Sequence, residues 1–193
     1  NLLGAEQSGF ITDMGFETYQ KILAEAMEEL GVETGITTKG RNDSFVSDCT
    51  IETDQLALIP DSYIDVTAEK IRIYKELDSL DSDKQTEILK SNLEDRFGKM
   101  PDELSRLFDI VKIRRLGQKL GFEKIIIKNG VMIAFFISNP LSQYYKSAMF
   151  SRILEKISSC PGLFELKQND SKLRIFVRNV ESISKAFEIL GKL

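Results

Sequence analysis

KIIIKNGVMIAFFI (residues 124–137) is the stretch whose reading decides the fold. Asn129-Gly130 separates two apolar runs, and that dipeptide suits a two-residue type I′ turn whose twist matches paired strands. The stretch reads as a β-hairpin. Toward the C-terminus, residues 142–157 carry Tyr145, Met149, Ile153 and Ile157 at four-residue spacing, the stripe of a helix. Cys160-Pro161-Gly162 then turns the chain into FELKQ (164–168), Asn169-Asp170-Ser171 and KLRIFVR (172–178), a second hairpin. A last helix over 181–190 carries Ile183, Phe187 and Leu190. This hairpin–helix–hairpin–helix unit predicts a four-stranded antiparallel sheet with its helices on one face. Two copies of one ββα pattern are visible, with too little residue identity to make a repeat.

Toward the N-terminus the pattern is helical, so the fold class is α+β. Pro101 fits the first turn of a helix that runs to Gly121, with Asp102 and Glu103 at its start and Lys112, Arg114, Arg115 and Lys119 toward its end. Leu104, Leu107, Phe108 and Val111 form one apolar row of that helix, and Ile110, Ile113 and Leu120 another. Ser82 with Gln85 makes a capping box, opening a helix that carries Ile88, Leu89, Leu93 and Phe97 before Gly98. Residues 68–80 form another helix, begun at Thr67. LALIPDSYI (56–64) holds Pro60 and reads as extended. The polar, Gly-dotted segment 32–54 reads as a linker with an extended stretch around 45–51. Tyr19, Ile22, Leu23, Ala26, Met27 and Leu30 make an amphipathic stripe stopped by Gly31.

Composition narrows the chemistry. The 193 residues contain no His, no Trp, and two Cys, Cys49 and Cys160. Without imidazole there is no Ser-His-Asp or Cys-His relay, and two isolated thiols cannot build a structural zinc site. Reduced thiols are the expectation, with a bridge between them as the alternative. No phosphate-binding GxxxxGK[ST] loop occurs. The chain reads as having no catalysis of its own. No run approaches the roughly 18 apolar residues of a membrane span. NLLGAEQSGF has no basic region leading an apolar run, so no signal peptide is read. Asn1 stands where an initiator Met would, which suits a piece of a longer polypeptide.

Charge is polarised. The net −4 conceals −10 over residues 1–67 and +7 over residues 101–193, a gradient suited to complementary docking. In 172–178, Lys172, Arg174, Phe176 and Arg178 alternate with Leu173, Ile175 and Val177. A basic face with an aromatic in its middle can stack on single-stranded nucleic acid. A half-exposed antiparallel sheet produces the same alternation without any ligand. The acidic pairs Asp81/Asp83 and Glu94/Asp95 read as structural, the first as helix-start carboxylates. The second pair diverges around its helix by about 100° and cannot converge on one site.

NLLGAEQSGFITDMGFETYQKILAEAM (1–27) resembles the segment that follows the motor in bacterial transcription-repair coupling factors, superfamily 2 ATP-dependent DNA translocases. LIPDSYI (58–64), IRIYKEL (71–77), EDRFGKMPDEL (94–104) and IRRLGQKLGF (113–122) match further blocks in that family's order. LLGxxQSG is shared mainly with this family and a branch-migration helicase family, and the DRFG and YK blocks favour the coupling factor. From about residue 123 only the order of strands and helices matches.

The resemblance implies a division into a tail of the motor (1–31), a linker (32–54) and a C-terminal regulatory α+β domain (55–193). It implies a cytoplasmic parent that moves on duplex DNA and acts on stalled RNA polymerase, with ATP and Mg²⁺ held by the motor. No cofactor, metal or catalytic residue is expected in this chain. Gly4, Gln7, Ser8 and Gly9 match the loop that couples the motor's ATP state to DNA movement. The domain is implied to pack on an excinuclease-B-like module of the same polypeptide, masking the surface that binds the excinuclease A protein and restraining the motor. Asp95, with Asn92 and Arg96 beside it, matches the acidic clasp on the helix ending in DRFG. Asn92 stands where an acid would strengthen the clasp. Gly117 stands where the family tends to have Ala, at a cost in helix propensity. The rival reading is a nucleic-acid-binding module built on Arg174, Phe176 and Arg178.

Overall fold

Asn129 and Gly130 both take positive φ, 54° and 71°, the pair of left-handed residues that a type I′ turn requires. In the computed structural model, which describes residues 45–170 and 172–193, the turn joins two antiparallel strands. The stripe over 19–30, the residues Gly4, Gln7, Ser8 and Gly9, and segment 32–44 lie outside the described residues.

The elements in chain order are β1 (Thr50–Thr53), α1 (Thr67–Ser79), α2 (Asp83–Phe97), α3 (Asp102–Leu120), β2 (Phe122–Lys128) and β3 (Val131–Phe136). A 3₁₀ turn (Gln143–Lys146), α4 (Ala148–Ser159), β4 (Glu165–Asn169), β5 (Lys172–Arg178) and α5 (Ile183–Leu190) complete it. The described chain divides into two compact units. One is Leu56–Val111; the other joins residues 45–55 to Lys112–Leu193. α3 gives its first half to one and its second half to the other.

The sheet belongs to the second unit, with strand order β1-β2-β3-β5-β4. The four expected strands pair antiparallel. A fifth, β1, runs parallel to β2 with Ile51 opposite Ile125, so the sheet is mixed. β1 lies inside the segment read as a linker, overlapping the end of its expected extended stretch at Thr50 and Ile51. Its four residues TIET carry too short a pattern to announce a strand, and their order comes from β2, some 70 residues onward in sequence. One face of the sheet holds Ile51, Ile125, Ile127, Met132, Ala134, Ile175 and Val177, all buried. α3 and α4 pack on that side. A Cβ added to Gly117 would touch the Ile125 side chain at 3.0 Å, and the Phe150 ring stands edge-on to Phe136 at 5.5 Å.

The helix expected over 142–157 is split in two. Ser142 caps the 3₁₀ turn, and Ser147 caps α4 by accepting from the Phe150 N–H. A serine that captures a backbone N–H two or three residues ahead starts a helix rather than continuing one. The break lets Tyr144 bury fully and donate from its hydroxyl to the Leu120 carbonyl at 2.6 Å. Gly121 (φ +93°) accommodates this, since a Cβ there would lie 2.2 Å from the Tyr144 ring.

In the first unit, Ile59, Ile64, Ile73, Tyr74, Leu77, Leu93, Leu104, Leu107 and Phe108 form one apolar cluster. Each aliphatic side chain so buried contributes about 2 kcal/mol before entropy is charged against it.

Candidate functional site

α2 begins where its sequence dictates. The Ser82 hydroxyl accepts from the Gln85 N–H at 3.3 Å, and the Gln85 side chain accepts from the Asp81 N–H at 3.1 Å. Gly98, at φ 86°, ends the helix, and its N–H donates to Glu94. Thr86, Leu89 and Leu93 are buried. Positions 88, 92 and 95, rotated to the other side of the helix, are exposed. Ile88, expected among the apolar stripe residues, is 51% exposed. It sits one position before Leu89, and a 100° step carries it off the buried stripe.

Polar bonds between blocks that the resemblance had picked out hold this helix in place. The Tyr63 hydroxyl bonds to the Leu93 carbonyl (3.2 Å) and the Gly98 carbonyl (2.9 Å). The Ile59 N–H donates to the Tyr74 hydroxyl at 3.1 Å. Lys70, buried in α1, pairs with Asp61. Thus 58–64, 71–77 and 94–104 form one knit structure. Burial raises the pKa of both Tyr63 and Tyr74, so both stay protonated and available as hydrogen-bond donors.

The clasp residues behave differently from one another. Asp95 and Asn92 are exposed on the outer face of α2. Arg96 is engaged: its guanidinium bonds Glu69 at 2.6 Å and lies 4.7 Å from the Phe97 ring centroid. Glu69 also pairs with Arg72 at 2.5 Å, and Arg72 with Glu76 at 2.6 Å. The Arg72 hydrogen bond, then the Arg96 bond, hold the Glu69 carboxyl below its usual range. Arg96 therefore ties α2 to α1, while Asp95 offers its charge outward. Nothing in the sequence pairs Arg96 with Glu69, 27 positions earlier; the packing of two helices does.

Arg174, Phe176 and Arg178 fall on the less buried face of the sheet. The Phe176 ring is flanked by Lys167 at 4.3 Å and by Arg178 at 5.3 Å. Glu165 balances both cations, at 3.7 Å and 3.9 Å. Glu52 similarly meets Lys124 at 2.8 Å and Lys128 at 3.6 Å. Sequence reasoning passed over both glutamates: Glu52 meets Lys124 and Lys128 only through the long-range pairing of β1 with β2, and Glu165 meets Arg178 across the expected second hairpin. Cys49 is buried, Cys160 is exposed, and both are free thiols. Burial pushes the Cys49 thiol up to about 12, far from the range of a reactive thiolate. Among the described residues no group of three or more Cys, Asp or Glu is placed to hold a metal ion, and no helix is long and apolar enough to cross a membrane.

These features define a class: an α+β module with a knit helical part, a mixed sheet and an exposed helix face carrying Ile88, Asn92 and Asp95. A family model described as the TRCF domain matches residues 53–147. A transcription-repair-coupling factor of Rickettsia bellii is 32% identical over 198 aligned residues, covering 100% of this chain and 16% of that protein. A Bacillus subtilis relative of the same name is 36% identical over 59% of the chain and 9% of its own length. A crystal structure of the C-terminal domain of transcription-repair coupling factor shares the fold, with TM-score 0.61 and 21% identity over 75% of this chain and 88% of that one. The chain belongs to the transcription-repair coupling factor family. It spans about a sixth of the Rickettsia bellii relative's length.

Proposed function

We propose that this chain is a non-catalytic regulatory domain of a transcription-repair coupling factor, acting by occupying a surface in transcription-coupled nucleotide-excision repair in the cytoplasm. Its partner is the excinuclease-B-like module of the same polypeptide, which it covers against the excinuclease A protein while restraining the motor. Residues 1–31 are the tail of that motor. Gly4, Gln7, Ser8 and Gly9 form its coupling loop, and ATP, Mg²⁺, duplex DNA and RNA polymerase engage the parent outside this chain. The reading rests on one observation above all: Asp95 stands exposed on α2, its side chain with no ion pair or hydrogen bond among the described residues, while Arg96 next to it is spent on α1.

Such a contact works as a two-state device. The closed form is held by Asp95 against a basic partner surface, and any ligand that binds the open form better shifts the population toward it. A single exposed carboxylate supplies register and steering more than raw affinity. With Asn92 one turn earlier the clasp holds weakly, which suits a contact that must release.

The test is capture of the separately produced excinuclease-B-like module by this chain. Asp95→Arg should weaken capture at least about tenfold, by charge reversal at the contact. Asn92→Asp should strengthen it. Unchanged capture by Asp95→Arg would remove α2 from the interface. The rival nucleic-acid reading predicts micromolar binding of single-stranded DNA that falls steeply with salt. Against it, Phe176 is already flanked by Lys167 and Arg178, which compete with a stacking base for its faces.

A further inference from the structure

The less buried face of the sheet is more apolar than a solvated face needs to be. Antiparallel strands with one wet side alternate apolar and polar residues, whereas near-continuous apolar runs mark strands covered on both sides. β3 reads VMIAFF, and β2 carries Ile125-Ile126-Ile127 without a polar residue between. Met132 and Ala134 face the helices, so Val131, Ile133 and Phe135 face the other way. The register lines up Ile126, Ile133 and Phe176 in one row across three strands. All three are only half-buried, as is Phe135 in the adjoining row. This is a contiguous apolar strip, not a scatter of single exposed residues.

Its surroundings carry a sign. Lys124 and Lys128 stand on β2, Lys167 on β4, and Lys172, Arg174 and Arg178 on β5, all projecting to this face by strand alternation. Among the described residues two carboxylates, Glu52 and Glu165, answer these six cations. Arg174 keeps its Nε–H buried without a hydrogen-bond partner among the described residues. That is a costly state which a carboxylate acceptor would relieve once the side chain turns toward it. A face-to-face pairing of two copies does not fit, since two such faces would oppose like charges. Nucleic acid fits poorly, since isoleucines rather than aromatics fill the middle of the strip.

We propose that this sheet face is a second docking surface, separate from α2, for an acidic amphipathic protein segment: an apolar stripe on the Ile126–Ile133–Phe176 row, flanked by carboxylates that meet the cationic rim. Apolar burial supplies the affinity, and the rim selects acidic over basic partners.

The test uses the whole chain, isotope-labelled for amide NMR. The probe is a helical peptide of about 18 residues with leucines at i, i+3, i+4 and i+7 and glutamates flanking them. Two comparison probes are the same peptide with lysines for glutamates, and oligo-dT of similar length. The proposal expects the acidic peptide to move signals of Ile126, Ile133, Phe135 and Phe176 and to bind at least about tenfold tighter than the lysine peptide. Ile133→Thr and Arg178→Glu should each weaken it about tenfold, and Asp95→Arg should leave it unchanged. Equal binding of the lysine peptide, shifts confined to other surfaces, or no binding at about 1 mM would overturn the proposal. Tighter binding of oligo-dT on the same residues would replace it with the nucleic-acid reading.

Discussion

The two units of this chain join their distant segments in different ways, and the difference says which substitutions each should tolerate. In the helical unit, specific polar side chains join distant blocks: Tyr63 to the end of α2, Tyr74 to the Ile59 amide, Lys70 to Asp61. Each bond needs one residue type at one position. In the sheet unit the inner face of the sheet is apolar, and hydrophobic residues of similar volume can replace one another there at modest cost, with the Tyr144 hydroxyl on the Leu120 carbonyl as a buried polar lock of its own.

The largest expected effect tests whether the sheet unit is as tolerant as this contrast says. Gly121→Ala should be its exception. The new Cβ would sit 2.2 Å from the Tyr144 ring at a backbone φ of +93°. Overpacking and backbone strain together should cost about 3 kcal/mol or more. Gly130→Ala is the control, since φ there is +71° with nothing within 4 Å, and only the backbone cost of about 1 kcal/mol applies. Urea denaturation of both variants reads the difference. Equal losses would mean that Tyr144 yields freely and the site is not rigid.

Next in size is the helical unit's polar lock. Tyr74→Phe keeps the ring and removes the acceptor for the buried Ile59 N–H. An orphaned buried donor should cost about 1–2 kcal/mol. A loss under a few tenths, measured by the same denaturation, would mean that polar specificity does not distinguish this unit.

Much of this was legible in the sequence because the signals were local. Asn129-Gly130 specified a turn, Ser82 with Gln85 a helix start, and Gly98 a helix end, each needing only its neighbours in the chain. What stayed hidden depended on partners far along the chain. β1 is a strand only because β2 lies beside it. Arg96 is engaged only because α1 presents Glu69. Ile88 illustrates a finer limit: periodicity identified the helix and its stripe, but adjacent apolar residues share one window and only packing separates them. Tyr144 was concealed by the break at Ser147, where two serine caps interrupt a pattern that otherwise reads as one helix.

Gly117 turns the contrast between polar locks and apolar packing into a double-mutant cycle. Its helix position favours Ala by roughly 1 kcal/mol, yet a Cβ there would meet the Cys49 sulfur at 2.6 Å. Cys49 is buried, and its neighbour Asp48 is held by Arg114 at 2.7 Å, so the thiol has little room to retreat. Gly117→Ala should therefore destabilise by about 1 kcal/mol in the native background. In a Cys49→Ala background the same change should stabilise, by up to about 1 kcal/mol. Additive effects in thermal unfolding would show that the two sites do not meet as described.

The smallest expected effect concerns charge in the sheet unit. Glu52 on β1 bonds Lys124, and that bond, with the nearby Lys128, holds its carboxyl below the usual range against an opposing effect of burial. A carboxyl whose pKa is lower folded than unfolded binds fewer protons in the native state. Its stabilisation is therefore complete above the unfolded value and is lost as pH falls through the folded one. Glu52→Gln should cost a few tenths to about 1 kcal/mol at pH 7, because the pair is partly exposed. The gap between variant and native chain should close as the solution is acidified below the ordinary carboxylate range. High salt at pH 7 should narrow it as well, since screening weakens an exposed pair. A gap that persists in acid would instead trace β1's attachment to shape and backbone pairing with β2. The parallel strand, which the sequence announced only as the end of an extended stretch, would then be held by the same apolar packing as the inner face of its sheet.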